Sequence, residues 1–437
     1  MPGTSSRPLS PIERWYWILD QVSPLNVVSR VRVHGALDAT LLRAAADALA
    51  ARHPFLRVAI AAADDGTDPR FVPTAARIEV RTITGDDATW AREVDEVELA
   101  TGTDWASGPL ARVLHVDLGG DHDVVLVVSH VIADGTSALR LLQDLVTYAE
   151  AAQRDPAPVT SLATFDPPEA RLPKKFRGAI GAARSMRVAL AEELRMTAAR
   201  PKRLEAQAAV EPSRRRTRFL RRELNGDELD RLAGACRAKG VSVHGALSAA
   251  LAAAIGEQMT PGQAGKLAIG SPVDFRGELQ PPVGADEAGA YVCTLPTVLP
   301  FGPAVDFWEV AAQTNRDLRE RAAASQHFAL VSMLGVVTPK SLGHSGKTMK
   351  MAEQRGPGNI CLSNIGRFDF PDRVGAWTVS GAQFIAGISM SGYYVGTVNS
   401  SHGQLFWNFT YIEDIVSEQR AVRIADDALD LLRKAIA

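Results

Sequence analysis

The apolar positions divide the chain into alternating strand-like and helix-like segments. Residues 27–33 alternate and are rich in β-branched side chains, which predicts a strand. Residues 38–52 place Leu41, Leu42, Ala45, Ala48 and Leu49 at helical spacing, which predicts an amphipathic helix stopped by His53-Pro54. Short strands follow from residue 55. Residues 113–117 and 124–128 read as two strands joined by Gly119-Gly120-Asp121, and the second is apolar throughout, as expected of a strand covered on both faces. It delivers Ser129-His130 into a short loop. Residues 135–150 then keep Leu139, Leu142, Leu145 and Val146 on one stripe and predict a helix. A helix start at Leu9-Ser10-Pro11 precedes all of these elements and leads into the aromatic run Trp15-Tyr16-Trp17.

The second half repeats the alternation without a visible sequence repeat. A strand near 217–224 is followed by helices over 225–239 and 242–257, the first opened by Asn225 as N-cap. Strands at 266–272 and 291–299 flank a Gly/Pro-rich loop, and a helix runs over 307–324. Strands at 360–364, 377–380, 393–398 and 405–411 precede a closing helix over 417–435. A chain of 437 residues is too long for one ordinary core and suits two lobes of about 200 residues each. The division read from the pattern is an N-terminal lobe at 1–165, a crossover at 166–216 and a C-terminal lobe at 217–437, with an α/β fold class.

Composition narrows the function classes. With 46% apolar residues, 22% charged residues and a net charge of −2, the whole chain points to a globular protein with neither nucleic acid nor membrane as an evident partner. The charge is unevenly spread. Residues 171–222 hold sixteen Lys/Arg against four Glu, a local net of +12. That stretch reads equally as a docking surface for an acidic carrier protein or as a solvated helix face plus linker.

Cys236, Cys293 and Cys361 are isolated from one another and offer neither a zinc-ligand spacing nor a closed disulfide framework. The N-terminal residues contain no apolar signal segment. The Ala-rich stretch 241–255 falls short of the roughly 20 residues a spanning helix needs. A cytoplasmic monomer with no membrane span is expected.

The sharpest chemical feature is Ser129-His130-Val131-Ile132-Ala133-Asp134-Gly135. A strand end fixes a histidine in place, and the ring is largely neutral near pH 7, which suits a general base. The helix starting at Gly135 offers free N–H groups for a developing oxyanion. Taken alone, HxxxD fits equally well a core histidine beside an Asp N-cap.

Four segments nevertheless resemble the condensation-domain superfamily. It includes the condensation domains of nonribosomal peptide synthetases, polyketide-associated O-acyltransferases and chloramphenicol-acetyltransferase-like enzymes. Leu9-Ser10-Pro11 with Trp15 resembles the opening motif. Gly35-Ala36-Leu37-Asp38 leading to Arg52-His53-Pro54-Phe55-Leu56-Arg57 resembles the following block. Thr103-Asp104-Trp105 and Gly108-Pro109-Leu110-Ala111-Arg112, then the strand to His130, resemble the approach to the HHxxxDG motif. Lys239-Gly240-Val241-Ser242 and Gly270-Ser271-Pro272-Val273-Asp274-Phe275-Arg276 resemble later blocks.

The resemblance implies two chloramphenicol-acetyltransferase-like lobes forming a V around a central tunnel. It implies His130 as general base, Asp134 as an orienting residue ion-paired to Arg276, and the Gly135 N–H as an oxyanion donor. The motif's first histidine is Ser129 here. Neighbouring strand residues point to opposite faces, so this exchange is expected to be tolerated.

Ser363-Asn364-Ile365-Gly366-Arg367 resembles the polyketide-associated O-acyltransferases. Ser363 and Asn364 are candidates for the substrate channel, although an edge-of-strand turn fits them equally. Trp407 and Asn408 read as core.

No bound cofactor is expected. The implied co-substrate is acyl-CoA or an acyl-phosphopantetheine carrier protein, with an alcohol or amine acceptor and ester formation favoured over amide. No metal is expected either, because His130 and Asp134 lack a third ligand. Neither a GxSxG elbow nor a nucleotide-binding glycine motif is present. With no carrier or adenylation segment alongside, action in trans is expected. The competing reading is a non-catalytic docking module.

Overall fold

The strand that leads to His130 lies inside a sheet, and the order of that sheet explains how the site is built. The computed structural model describes residues 6–154, 159–163, 166–355, 359–389 and 392–437. Asp121–Ser129 pairs antiparallel with Asn26–His34 on one side and with Ala111–Asp117 on the other. Val124 to Val128 are fully buried, as their uninterrupted apolar character predicts. Glu79–Thr84 adds parallel to Ala111–Asp117. The helices Ala39–Arg52 and Gly135–Ala151 pack together and close one core.

A second six-stranded sheet runs Val292–Phe301, Gly265–Asp274, Ile360–Arg367, Tyr394–Ser401, Gln404–Ile412, Thr217–Leu224. Its core forms against the helices Val243–Met259, Phe307–Ala323 and Glu418–Ala435. The architecture is therefore α/β with two sheet-and-helix lobes. Capping follows the sequence. Asn225 and Glu228 form a reciprocal capping box, and Ser242, Asp306 and Ser417 accept from the N–H groups three residues on.

Two sequence expectations need correction. The strand expected at 377–380 in the second lobe is Trp377–Ala386, and it pairs antiparallel with Asn26–His34 in the first sheet. A boundary at residue 217 therefore does not separate the lobes, because the C-terminal half completes the N-terminal sheet. The donated strand's other edge, beyond the short pairing with Arg373–Val374, is met by side chains of the second sheet. Asn399 Oδ1 accepts from Phe384 N, Thr397 Oγ and Asn408 Nδ2 donate to Phe384 O, and Thr410 Oγ donates to Ala386 O. These polar chains satisfy backbone groups that a plain sheet edge would leave open.

The helices Gln326–Val337 and Gly346–Arg355 were not expected. The first is apolar on nearly every side, so it carries no amphipathic stripe to signal a helix.

The crossover holds the helix Gly178–Ala199, and in the basic stretch 171–222 several cations are already partnered. Arg171 pairs with Glu287, Arg215 with Glu353, Arg218 with Asp95 and Arg222 with Asp426. Among the described residues no single helix is long and apolar enough to cross a membrane.

Candidate active site

His130 sits one residue past the ladder of its strand and is still held by the backbone. Ser129 N donates to Leu110 O at 2.9 Å, and His130 N donates to Leu25 O at 3.1 Å. Ser129 is turned into the protein, where its Oγ accepts from Val131 N at 3.4 Å. It does not line the cavity that His130 faces. Alternation along the strand thus sends the two side chains to different environments.

The imidazole stacks on Tyr16 from the helix Pro11–Val22, with ring centroids 4.2 Å apart and planes 9° from parallel. Its Nδ1 is buried, so Nε2 is the nitrogen left to the cavity. Among the described residues no side chain hydrogen-bonds the ring. Burial pushes the imidazole below its ordinary value, while Asp134 and the carbonyls of His130 and Ala133 pull the other way. The net direction is down, which keeps the ring neutral and able to accept a proton.

Asp134 is buried and occupied. It caps the helix Gly135–Ala151 by accepting from Ser137 N at 2.9 Å, and it accepts from Tyr291 N at 2.9 Å and from Arg276 Nη2 at 2.5 Å. Arg276 also donates to Ser137 Oγ at 2.7 Å and to Asp274 at 2.6 Å, and its guanidinium lies 5.0 Å from the Tyr291 ring centre. Burial raises the Asp134 carboxyl, but Arg276 and then the Ser137 and Tyr291 amides outweigh it and hold it below the ordinary carboxylate value. The structure thus brings Asp134 and Arg276 together across the two lobes.

At Gly135, a β-carbon would come within 2.6 Å of the Phe384 ring on the donated strand, so close packing requires a glycine there. The Gly135 and Thr136 residues line the cavity at the first turn of the helix, where backbone amides have no intrahelical acceptor.

The cavity lies between the lobes and has a volume of about 650 Å³. Its wall is largely apolar, with Ile12, Leu19, Leu334 and Phe384 among the lining residues, and Thr136, Thr294, Ser363 and Asn364 as polar points. Ser363 and Asn364 therefore both reach it, from the strand Ile360–Arg367. Asn364 also accepts from Gly366 N at 2.8 Å, so the turn reading and the lining reading hold together for that residue. Trp407 and Asn408 are fully buried in the core and lie outside the cavity wall.

Cys293 and Cys361 line the cavity, and burial pushes each thiol up to about 12, which leaves them protonated and poor nucleophiles. Among the described residues no cluster of three or more potential metal ligands forms. Tyr16 is the site residue that the sequence reading missed. Its signal was the aromatic run after Pro11, which by itself also fits plain core packing.

Two family models match the chain in order. Residues 5–166 match the condensation domain, and residues 213–384 match the C-terminus of phthiocerol/phthiodiolone dimycocerosyl transferase. Chondramide synthase cmdD of Chondromyces crocatus is 29% identical over 151 residues, a stretch that is 32% of this chain and 4% of the synthase. The chain thus spans only a small fraction of the curated relatives it matches.

Polyketide synthase associated protein 5 from Mycobacterium tuberculosis superimposes with a TM-score of 0.70 at 21% identity, covering 99% of this chain and 98% of that one. The first condensation domain of the calcium-dependent antibiotic synthetase gives 0.74 at 17% identity, covering 100% and 97%. These two likenesses establish the shared fold. With residues 5–166 matched by the condensation-domain model and residues 213–384 by the dimycocerosyl transferase model, the chain is similar to the condensation-domain superfamily along most of its length.

Proposed function

We propose that the chain transfers an acyl group from a thioester, carried on coenzyme A or on a carrier protein, to the hydroxyl of a natural-product or lipid acceptor. The observation that carries this reading is His130. Its ring is neutral and stacked on Tyr16, with Nε2 facing an apolar cavity that both lobes enclose.

In the proposed reaction Nε2 takes the acceptor's proton as its oxygen attacks the thioester carbonyl. The negative charge that develops on the carbonyl oxygen faces the amides of the first helical turn at Gly135. Collapse breaks the carbon–sulfur bond, and the protonated imidazole returns its proton to the departing thiolate. Asp134 is not the base, because its oxygens are engaged by Ser137, Tyr291 and Arg276. It fixes the loop instead, and catalysis is positioning plus proton transfer.

Ester formation is favoured over amide formation because the second half matches the model of a transferase named for phthiocerol and phthiodiolone. The test incubates purified protein with an acyl-CoA and an acyl carrier protein, each with a panel of alcohols and amines. Thiol release and product mass are then followed. Transfer to alcohols supports the reading, transfer to amines alone reassigns the product, and no thiol release with any pair points to a docking module.

A further inference from the structure

Seven of the eight exposed large apolar side chains among the described residues lie on three neighbouring helices. Ile180, Met186, Leu190 and Leu194 project from Gly178–Ala199, Val336 and Val337 from Gln326–Val337, and Met351 from Gly346–Arg355. At 3.6 residues per turn the first four fall within an arc of about 120°. Ile180 is 82% exposed and Leu194 63%, too open for side chains that merely edge a core.

The charge around them is mainly positive. Residues 170–191 and 326–352 contain nine Lys/Arg and no Asp or Glu, while Glu192 and Glu193 sit beside Leu194 at one end of the patch and Glu353 follows Met351. Arg187, Lys340, Lys347 and Lys350 have no ion pair among the described residues. The same three helices line the cavity on their other faces through Ala189, Leu334 and Ala352, and Val337 belongs both to the exposed patch and to the cavity wall. The patch therefore adjoins the cavity, meeting its wall at Val337.

We propose that this face seats the protein on an anionic bilayer, with the adjoining cavity next to the lipid. Apolar tips interspersed with unpaired cations, with the carboxylates confined to the ends of the patch and Glu192 neutralised by Arg195 and Arg321, suit interfacial insertion. The tips enter the acyl boundary while the Lys and Arg stems extend to the headgroups. A rigid protein surface laid over this patch would bridge the gaps between the tips, whereas a fluid bilayer fills them. This inference is independent of the acyl-transfer reading, because its readout is binding and not turnover.

The test is vesicle flotation of the full chain with phosphatidylcholine alone and with equal parts of phosphatidylcholine and phosphatidylglycerol. Flotation is expected with the mixed vesicles and should fall as salt is raised. Each cation near an anionic surface is worth about fivefold in partitioning, so Lys347→Ala/Lys350→Ala should bind roughly 25-fold more weakly. Leu190→Ser/Leu194→Ser should lose about tenfold or more with an unchanged melting curve, because both side chains are exposed. Val97→Ser, outside the patch, should bind as wild type.

Equal partitioning to both vesicle types, or patch variants that float like wild type, overturns the proposal. So does a wild-type dimer that Leu190→Ser dissolves while no vesicle is bound, which would make a second copy the occupant. Binding of an acidic carrier protein to the patch without binding of vesicles overturns it too.

Discussion

Replacing Asp134 by alanine removes three interactions at once, and their sizes can be set from the geometry. The carboxylate is 2% exposed, and Arg276, its partner, is 7% exposed. Removing one member of a buried pair costs about 3–5 kcal/mol when the other charge is stranded. Arg276 is not wholly stranded, because Ser137 and Asp274 still accept from it. Asp274 is largely open to solvent and screens poorly for a buried guanidinium, so the lower end, about 3 kcal/mol, applies. Losing the N-cap of the catalytic-loop helix adds about 1 kcal/mol. The total of about 4 kcal/mol is a large share of the roughly 5–15 kcal/mol by which folded domains are stable.

Urea unfolding followed by tryptophan fluorescence measures this loss. Asp134→Asn, whose single amide oxygen can still accept from Ser137 N but not from Tyr291 N as well, should lose less than Asp134→Ala. A double-mutant cycle with Arg276→Ala should show coupling well above the roughly 0.5 kcal/mol scatter of independent sites. The pH dependence has a definite sign. The folded carboxyl lies below its ordinary value, so the stability it contributes is complete above the unfolded value near 3.9 and is lost as pH falls through the folded value. The penalty of Asp134→Ala should therefore be full at neutral pH and shrink only in acid. Strict additivity, or a penalty under about 1 kcal/mol, would refute the cross-lobe tie and reduce Asp134 to a helix cap.

His130→Ala should lower transfer by about 10²- to 10⁴-fold with an unchanged melting curve, and retained turnover in a folded variant would remove the residue from the mechanism. Because the imidazole is pushed down, the rate should rise with pH through an inflection below about 6.5 and then stay level; an inflection above that value contradicts a buried neutral base. Gly135→Ala drives a methyl group into the Phe384 ring and should cost about 1–3 kcal/mol, with partial recovery when Phe384→Leu is added; equal stability of all variants in thermal melts would count against that close contact. Intact-mass spectrometry with donor alone should show no acyl adduct, since the cavity thiols are held protonated; a stoichiometric adduct would establish a ping-pong route.

Most elements were legible because each carries its own periodicity and its own stop signal. The run 124–128, the stripe of Leu139, Leu142 and Leu145, and Asn225 as a cap all appear where local pattern places them. The motif around His130 was legible from its resemblance. The cavity it faces was not, because Tyr16, Thr294 and Phe384 come to it from distant parts of the chain.

Residues 377–380 read as a strand, which in the structure runs on to Ala386, but nothing local states which sheet a strand will join. The basic crossover was legible as a charge count, but not which of its cations are buried in ion pairs. Arg215 lies between two apparently similar arginines and is buried against Glu353, so reversing its charge would test folding and not docking. The apolar helix 326–337 gave no period to read, and the exposed patch it shares with 178–199 follows only from three-dimensional placement.

The donated strand Trp377–Ala386 also sets an order of events during synthesis. Asn26–His34 emerges early from the ribosome, yet its hydrogen-bonding partner on one side is not made until residue 386 is in place. At about 5–20 residues per second, the roughly 350 further residues take on the order of 20 to 70 seconds. Throughout that interval the first sheet presents an open, β-branched edge to other nascent chains. Slow translation, or a messenger truncated before that codon, would therefore release an aggregation-prone half instead of an independent lobe.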